Sequence, residues 1–171
     1  MGSNGQEEGS IRWVTASDVV ELARRFHAEE VQFLIYGGIA CILHGFVRAT
    51  EDLDLCVGDD YVNIQKALRI LSGWGEGYAS ELTPEDVLEN VVVRIGEDFT
   101  IDLASRLWKV DWKTAWARRR IVAVDGVDLP FLCRQDLIES KRTYREKDHW
   151  DIRELSELPE PESGQPADSP G

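Results

Sequence analysis

Asp52 and Asp54 stand two residues apart in the alternating run 51–57, EDLDLCV. Side chains alternate in direction along a strand, so these carboxylates share one face while Leu53, Leu55 and Val57 share the other. Paired hard oxygen donors suit a divalent cation such as Mg²⁺, which takes one or two carboxylates and fills its shell with water and substrate phosphates. A third acid, Asp102, shares a face with Thr100 in the run 99–104, FTIDLA. Carboxylates so grouped can hold two ions about 3.5–4 Å apart, which clamp the attacking and leaving oxygens of an in-line displacement. Ahead of the pair lies Gly37-Gly38, where an apolar run gives way to a short helix. Glycines there leave backbone N–H groups bare for an anionic phosphate. Each aspartate alone could end a strand or cap a turn. Three on pleat-matched faces, two of them just after a Gly-Gly helix start, point instead to a phosphate held beside a metal.

The elements that must position these groups follow from hydrophobic periodicity. Thr15, with Asp18 three residues on, opens a helix that ends near Glu30 and carries Val19, Leu22, Ala23 and Phe26 in register. Residues 31–36 form a short buried strand, 39–44 a two-turn helix closed by Gly45, and 51–57 the acid-bearing strand. Val62, Ile64, Ala67, Leu68 and Leu71 predict an amphipathic helix over 61–71. After a link at Gly73, Gly75 and Gly77, Thr83-Pro84-Glu85 starts a shorter helix. Strands at 91–95 and 99–104 pair around 96–98, and strands at 121–124 and 127–131 pair around Asp125-Gly126. Further helices are expected over 107–120, with Trp108, Trp112 and Trp116 on one face, over 134–147, with Leu137, Lys141, Tyr144 and Asp148 on one stripe, and over 148–158. Residues 1–10 and the acidic, proline-rich 159–171 read as disordered. That leaves one α/β domain over 11–158, a mixed β-sheet flanked by helices.

At 171 residues the chain is long enough for one domain that buries roughly 70% of its unfolded surface. A formal charge of −13 repels polyphosphate backbones and argues against non-specific DNA binding. Cys41, Cys56 and Cys133 are odd in number and lack C-x-x-C spacing, as expected of a reduced, cytoplasmic protein. No apolar run reaches about 18 residues, so neither a membrane span nor a signal peptide is expected. The motifs G-x-x-x-x-G-K-[ST], H-E-x-x-H and G-x-G-x-x-G are absent, which argues against a P-loop enzyme, a zincin and a Rossmann dehydrogenase.

Gly37-Gly38, His44-Gly45, Arg48, Thr50, Asp52 and Asp54 together spell GG, HG and R-x-T-x-D-x-D. This pattern resembles the nucleotidyltransferase superfamily with the DNA polymerase β-type fold, and within it the small bacterial nucleotidyltransferases related to abortive-infection toxins. FTIDLAS around Asp102 is similar to the strand bearing the family's third carboxylate. Residues 129–158 are similar to its closing segment, in which a lysine and a later K-D-x-x-D follow a D-L-I helix start. The likeness covers 31–158. It implies that Gly37 and Gly38 contact a nucleoside triphosphate, that Asp52 and Asp54 bind two Mg²⁺ (or Mn²⁺) ions, and that Asp102 is a ligand and candidate base for the incoming hydroxyl. It also implies a triphosphate contact for Lys141.

Other residues keep two readings. Lys141 meets the triphosphate or pairs with Asp148, and Asp148 and Asp151 also suit the start of a helix by charge alone. Arg48 orients Asp52 or Asp54, or meets a phosphate. His44 fits a satisfied structural histidine better than a ligand. Arg118, Arg119 and Arg120 make either a solvated face or a receiver for an RNA end or triphosphate tail. The expected function is Mg²⁺-dependent transfer of a nucleoside monophosphate, from ATP or another triphosphate, to an acceptor hydroxyl on RNA, a protein or a small molecule. Two alternatives stand beside it: a catalytically silent nucleotide-binding or interaction module, and a toxin-antitoxin component acting on RNA or a partner protein.

Overall fold

The computed structural model describes residues 12–96, 98–142 and 146–159. The expectations of disorder for 1–10 and 160–171, the hairpin turn at Glu97 and the placement of Tyr144 lie outside the described residues. Helix α1, Ala16–Ala28, starts where expected: the Asp18 N–H donates to Thr15 Oγ1 at 3.2 Å and the Thr15 N–H donates to Asp18 Oδ2 at 2.8 Å. This reciprocal cap satisfies two backbone donors that the first helical turn leaves open. The Arg12 guanidinium forks onto the same carboxylate at 2.6 and 2.9 Å and holds its pKa down at about 2. A depressed carboxyl stabilises the fold above its unfolded value and ceases to do so as pH falls through the folded one. Acidification from about pH 4 to pH 2 is therefore expected to remove of order 1 kcal/mol that an Asp18→Asn variant never had. Melting curves of the two proteins should converge across that window.

Among the described residues six strands form one mixed sheet: β1 Leu34–Tyr36, β2 Asp52–Cys56, β3 Val93–Gly96, β4 Thr100–Ala104, β5 Arg120–Val124 and β6 Val127–Phe131, in the order β3-β4-β2-β1-β6-β5. β2 runs parallel to β4 and β1 parallel to β6; the other neighbours are antiparallel. The remaining helices are α2 Gly37–Leu43, α3 Tyr61–Ser72, α4 Pro84–Glu89, α5 Trp112–Arg118, α6 Arg134–Ser140 and α7 Glu146–Glu157, with a 3-10 turn at Tyr78–Glu81. One face of the central strands supplies Leu53, Leu55, Ile101 and Leu103, all buried, which pack with Phe26, Ile64 and Leu71 into the main core. The alternation expected for 51–57 thus holds, with the leucines in the core and the acids on the other face. The mixed α/β architecture agrees with the expectation.

Two helices are shorter than their periodicity suggested. Between 107 and 120 only Trp112–Arg118 is helical, because Asp111 caps it by accepting the Thr114 N–H at 3.0 Å. Leu107 and Val110 instead bridge a turn through Lys109 at φ 58°. Trp108 is therefore exposed outside the helix, while Trp112 and Trp116 stack with centroids 5.5 Å apart. The helix expected over 134–147 ends at Ser140, and α7 begins at Glu146. A continuous helix would separate Lys141 from Asp151 by about 15 Å along its axis. The observed ion pair between them, at 2.8 Å, requires the break.

Candidate active site

Strand register assembles the site. Parallel pairing of β2 with β4 sets Asp54 opposite Asp102; β1 sets Tyr36 opposite Asp54; β3 sets Arg94 opposite Asp102. Arg94, Asp102, Asp54 and Tyr36 thus form a row across four strands at the usual spacing of about 4.8 Å. Asp52 lies one pleat repeat along from Asp54. All of them line one cleft of about 470 Å³, together with Gly37, Gly38, Arg48, Thr50, Lys141 and Asp148. The residues expected to hold metal or nucleotide, Asp52, Asp54, Asp102, Gly37, Gly38, Arg48 and Lys141, all line this cleft, whereas Arg118, Arg119 and Arg120 lie outside it.

Electrostatics single out Asp54. Burial first, then the neighbouring Asp102 and Asp52 carboxylates, push its pKa up to about 7, against an opposing pull from Lys141 and from the Gly38 N–H that donates to it. A carboxyl so placed is half-protonated near neutrality unless a cation arrives. Burial and the Asp54 charge also raise the Tyr36 phenol, so Tyr36 stays a protonated neighbour of the acids.

The two glycines serve the acids directly. Gly37 has φ 63°, and a Cβ there would strike the Asp54 carboxylate, with Cγ only 2.7 Å away. A Cβ on Gly38 would lie 3.0 Å from Thr50 Oγ1. That hydroxyl donates to the Asp52 carbonyl at 3.0 Å and accepts the Asp52 N–H at 3.3 Å. The Gly-Gly turn therefore lets α2 press against the acid-bearing segment, and one of its N–H groups is already given to Asp54. In any assay of the site, Gly37→Ala is expected to cost about 100-fold or more, since it displaces a reacting group and strains the backbone. Gly38→Ala asks only a small shift of Thr50 and should cost about tenfold or less; the reverse ranking would contradict this division of roles.

Two cations of the cleft are held from behind by one acid. Asp151 is fully buried on α7; Arg48 Nη1 donates to its two oxygens at 2.9 and 2.8 Å, and Lys141 Nζ donates to Oδ2 at 2.8 Å. Lys141 is thus paired with Asp151, neither left to water nor paired with Asp148 as one sequence alternative had it. Arg48 likewise turns to Asp151 and not to Asp52 or Asp54. One carboxylate thus serves two cations, and Asp148 lines the cleft beside them. His44 is structural, its Nε2 2.8 Å from the Leu132 carbonyl and its ring against Phe131. The basic run divides: Arg118 pairs with Asp136 at 2.8 Å, and Arg119 lies 4.0 Å from the Trp116 ring centre.

The sequence reading missed Arg94, Tyr36, Arg106 and Trp108, which also line the cleft. The expected 91–95/99–104 hairpin, with its turn at 96–98, sets Arg94 opposite Thr100; the observed register, with Gly96 opposite Thr100, moves it along by one pleat repeat to face Asp102. Trp108 was assigned to a helix face, but the helix starts only at Trp112 and leaves Trp108 exposed at the cleft.

As a test of metal fit, the donor set is uniform: Asp52, Asp54 and Asp102 offer only hard carboxylate oxygens. Their mutual repulsion at Asp54 is the strain that a bound cation relieves. Against this, both Asp102 oxygens are engaged by Arg94, and no preformed cage of three acidic, histidine or cysteine ligands occurs among the described residues. The residues fit a divalent cation that arrives with other ligands of its own.

No protein-family model matches the sequence, and no curated protein matches it either. Solved structures do. An antigenic nucleotidyltransferase-like protein from Paracoccidioides brasiliensis superposes with a TM-score of 0.55 at 16% identity, over 86% of this chain and 78% of that one. The lincosamide antibiotic adenylyltransferase LnuA, in its lincomycin-bound form, superposes with a TM-score of 0.57 at 15% identity, over 86% of this chain and all of that one. The chain has the nucleotidyltransferase fold. In this nucleotidyltransferase fold the acid row lies on β2 and β4, where sheet pairing and not loop conformation sets its geometry. The three cysteines are free, and no described helix is long and apolar enough to cross a membrane.

Proposed function

We propose that this chain is a Mg²⁺-dependent nucleotidyltransferase, moving a nucleoside monophosphate from a nucleoside triphosphate to an acceptor hydroxyl and releasing pyrophosphate. The observation that carries the proposal is the placing of Asp54 beside Asp102 by strand register, with Asp52 one pleat repeat away and Asp54 lifted to about 7 by burial first and then by the Asp102 and Asp52 charges. Concentrated, partly buried negative charge destabilises a fold and persists where function uses it. Asp52, Asp54 and Asp102 would hold the metal, with Mn²⁺ an acceptable substitute. When bound, such ions neutralise phosphate charge and polarise the phosphorus under attack.

The chain's own residues supply the rest. Arg48 and Lys141, anchored by Asp151, present positive charge to the triphosphate, and the first turn of α2 brings backbone close to it with no side chain in the way. Asp102, once released by Arg94, accepts the acceptor's hydroxyl proton on a carboxylate oxygen. The new bond joins the acceptor oxygen to the α-phosphorus; the bond from that phosphorus to the β-phosphate bridging oxygen breaks, and pyrophosphate leaves. Positioning and charge complementarity provide most of the acceleration in such transfers.

The likeness to LnuA, a lincosamide antibiotic adenylyltransferase, supports a small hydroxyl compound as one acceptor class. The motif likeness to toxin-related enzymes supports RNA or protein as another. The test supplies Mg²⁺ and α-labelled ATP, GTP, CTP and UTP with lincomycin, an aminoglycoside, RNA and a protein extract, and follows both label and pyrophosphate. Label on one acceptor with stoichiometric pyrophosphate is expected. Mg²⁺-nucleotide binding without pyrophosphate in any combination would replace the enzyme with the silent nucleotide-binding module.

A further inference from the structure

Arg94 grips Asp102 as a fork: Nε donates to Oδ1 at 2.9 Å and Nη2 donates to Oδ2 at 2.8 Å. Both oxygens that a cation would use are thereby engaged. The two partners differ in freedom. The Asp102 side chain is 8% exposed on an interior strand, whereas Arg94 is 67% exposed on β3, which ends the sheet. The arginine can leave without disturbing the core, and the aspartate cannot. Neighbouring cations do not duplicate its position: Arg48 and Lys141 are committed to Asp151, and Arg106 donates to the Leu88 carbonyl.

We propose that Arg94 is a latch on the metal site. In the nucleotide-free protein its guanidinium stands in for a cation at Asp102 and offsets one of the three clustered negative charges. A guanidinium and a divalent ion cannot both sit on the same carboxylate without strong repulsion, so occupancy of the site expels Arg94 into the open cleft. An incoming triphosphate offers the released arginine a new anionic partner with matching fork geometry. Metal and nucleotide therefore bind as a coupled pair, and the site does not load tightly with cation alone. Arg94 acts here through Asp102, as a positioning residue, and the inference rests on the metal site proposed above.

The experiment titrates Mn²⁺ into nucleotide-free protein and reads free Mn²⁺ by electron paramagnetic resonance. Arg94→Gln is expected to bind Mn²⁺ about tenfold more tightly than the wild-type chain, within the usual range of coupling between sites. Arg94→Lys, which keeps the charge but not the fork, should fall between them, and it carries the comparison if Arg94→Gln does not fold. Arg106→Gln removes an equal charge from the same cleft without freeing Asp102 and should change the affinity less than twofold. Equal Mn²⁺ affinity in the wild-type and Arg94 variants, or an equal gain from Arg106→Gln, overturns the latch and leaves the metal site standing. Absence of Mn²⁺ binding in every variant, even with a non-hydrolysable triphosphate, overturns both.

Discussion

Asp54→Asn is expected to abolish nucleotidyl transfer and, in the same protein, to stabilise the metal-free fold at pH 8. The loss of activity follows from removing a charged ligand at the centre of the acid row, and should be about 1,000-fold or more, the scale on which a transition-state charge partner acts. The stability change has the opposite sign because Asp54 is held at about 7, above its ordinary value near 3.8. A raised carboxyl leaves the fold at full stability below the unfolded pKa and weakens it as pH climbs through the folded one. From about pH 4 to pH 7 the wild-type chain should therefore lose of order 2 kcal/mol that the neutral asparagine does not lose. Asparagine keeps an oxygen that can accept the Gly38 N–H, so the local geometry is retained. Melting in EDTA should give equal temperatures at pH 4 and a higher one for the variant at pH 8. A variant less stable at pH 8 would mean that Asp54 is a structural acid, and the functional assignment would lose its main support.

Asp151→Ala should be the most damaging single change to stability. Its carboxylate lies in the interior with both Arg48 and Lys141 against it, and their side chains are only 14% and 10% exposed. Removing the acid leaves two cations facing each other in a low-dielectric wall. Breaking one buried pair in this way typically costs about 3–5 kcal/mol. Lys141→Met should cost clearly less, because Arg48 still neutralises Asp151 and the methionine fills the stem's volume. Urea unfolding of the three proteins measures the ranking. If Asp151→Ala unfolds within about 1 kcal/mol of the wild-type chain, the anchor does not exist as described. The Arg48 and Lys141 variants should also bind triphosphate more weakly while leaving Mn²⁺ binding at the acids intact, which separates the phosphate wall from the metal row.

Much of this site was legible in the sequence because strands encode direction with period two. Asp52, Asp54 and Asp102 could be assigned to strand faces from the alternation alone, and Gly37-Gly38 marked a turn that opens a helix. The partners of those acids were harder to see. Asp151 meets Arg48 across 103 residues of chain, a pairing that no local pattern announces. The break between α6 and α7 was hidden for a related reason: 134–147 carries a good helical stripe, and a tertiary ion pair overrides it. Trp108 was misplaced because three tryptophans at spacing four imitate a helix face, whereas the cap at Asp111 starts the helix one turn later. The Gly-Gly turn gained a meaning that spacing alone did not carry, since the structure puts Asp54 where a Cβ of Gly37 would be.

The proposed function requires that Asp52, Asp54 and Asp102 hold a divalent cation in the presence of nucleotide. A crystal structure with Mn²⁺ and a non-hydrolysable triphosphate, phased to reveal anomalous scattering, measures this directly. Manganese peaks bounded by oxygens of all three carboxylates and of the α-phosphate, with Arg94 turned away from Asp102, are the predicted result. Nucleotide bound in the cleft with Arg94 still forked on Asp102 and no peak among the three acids would contradict it.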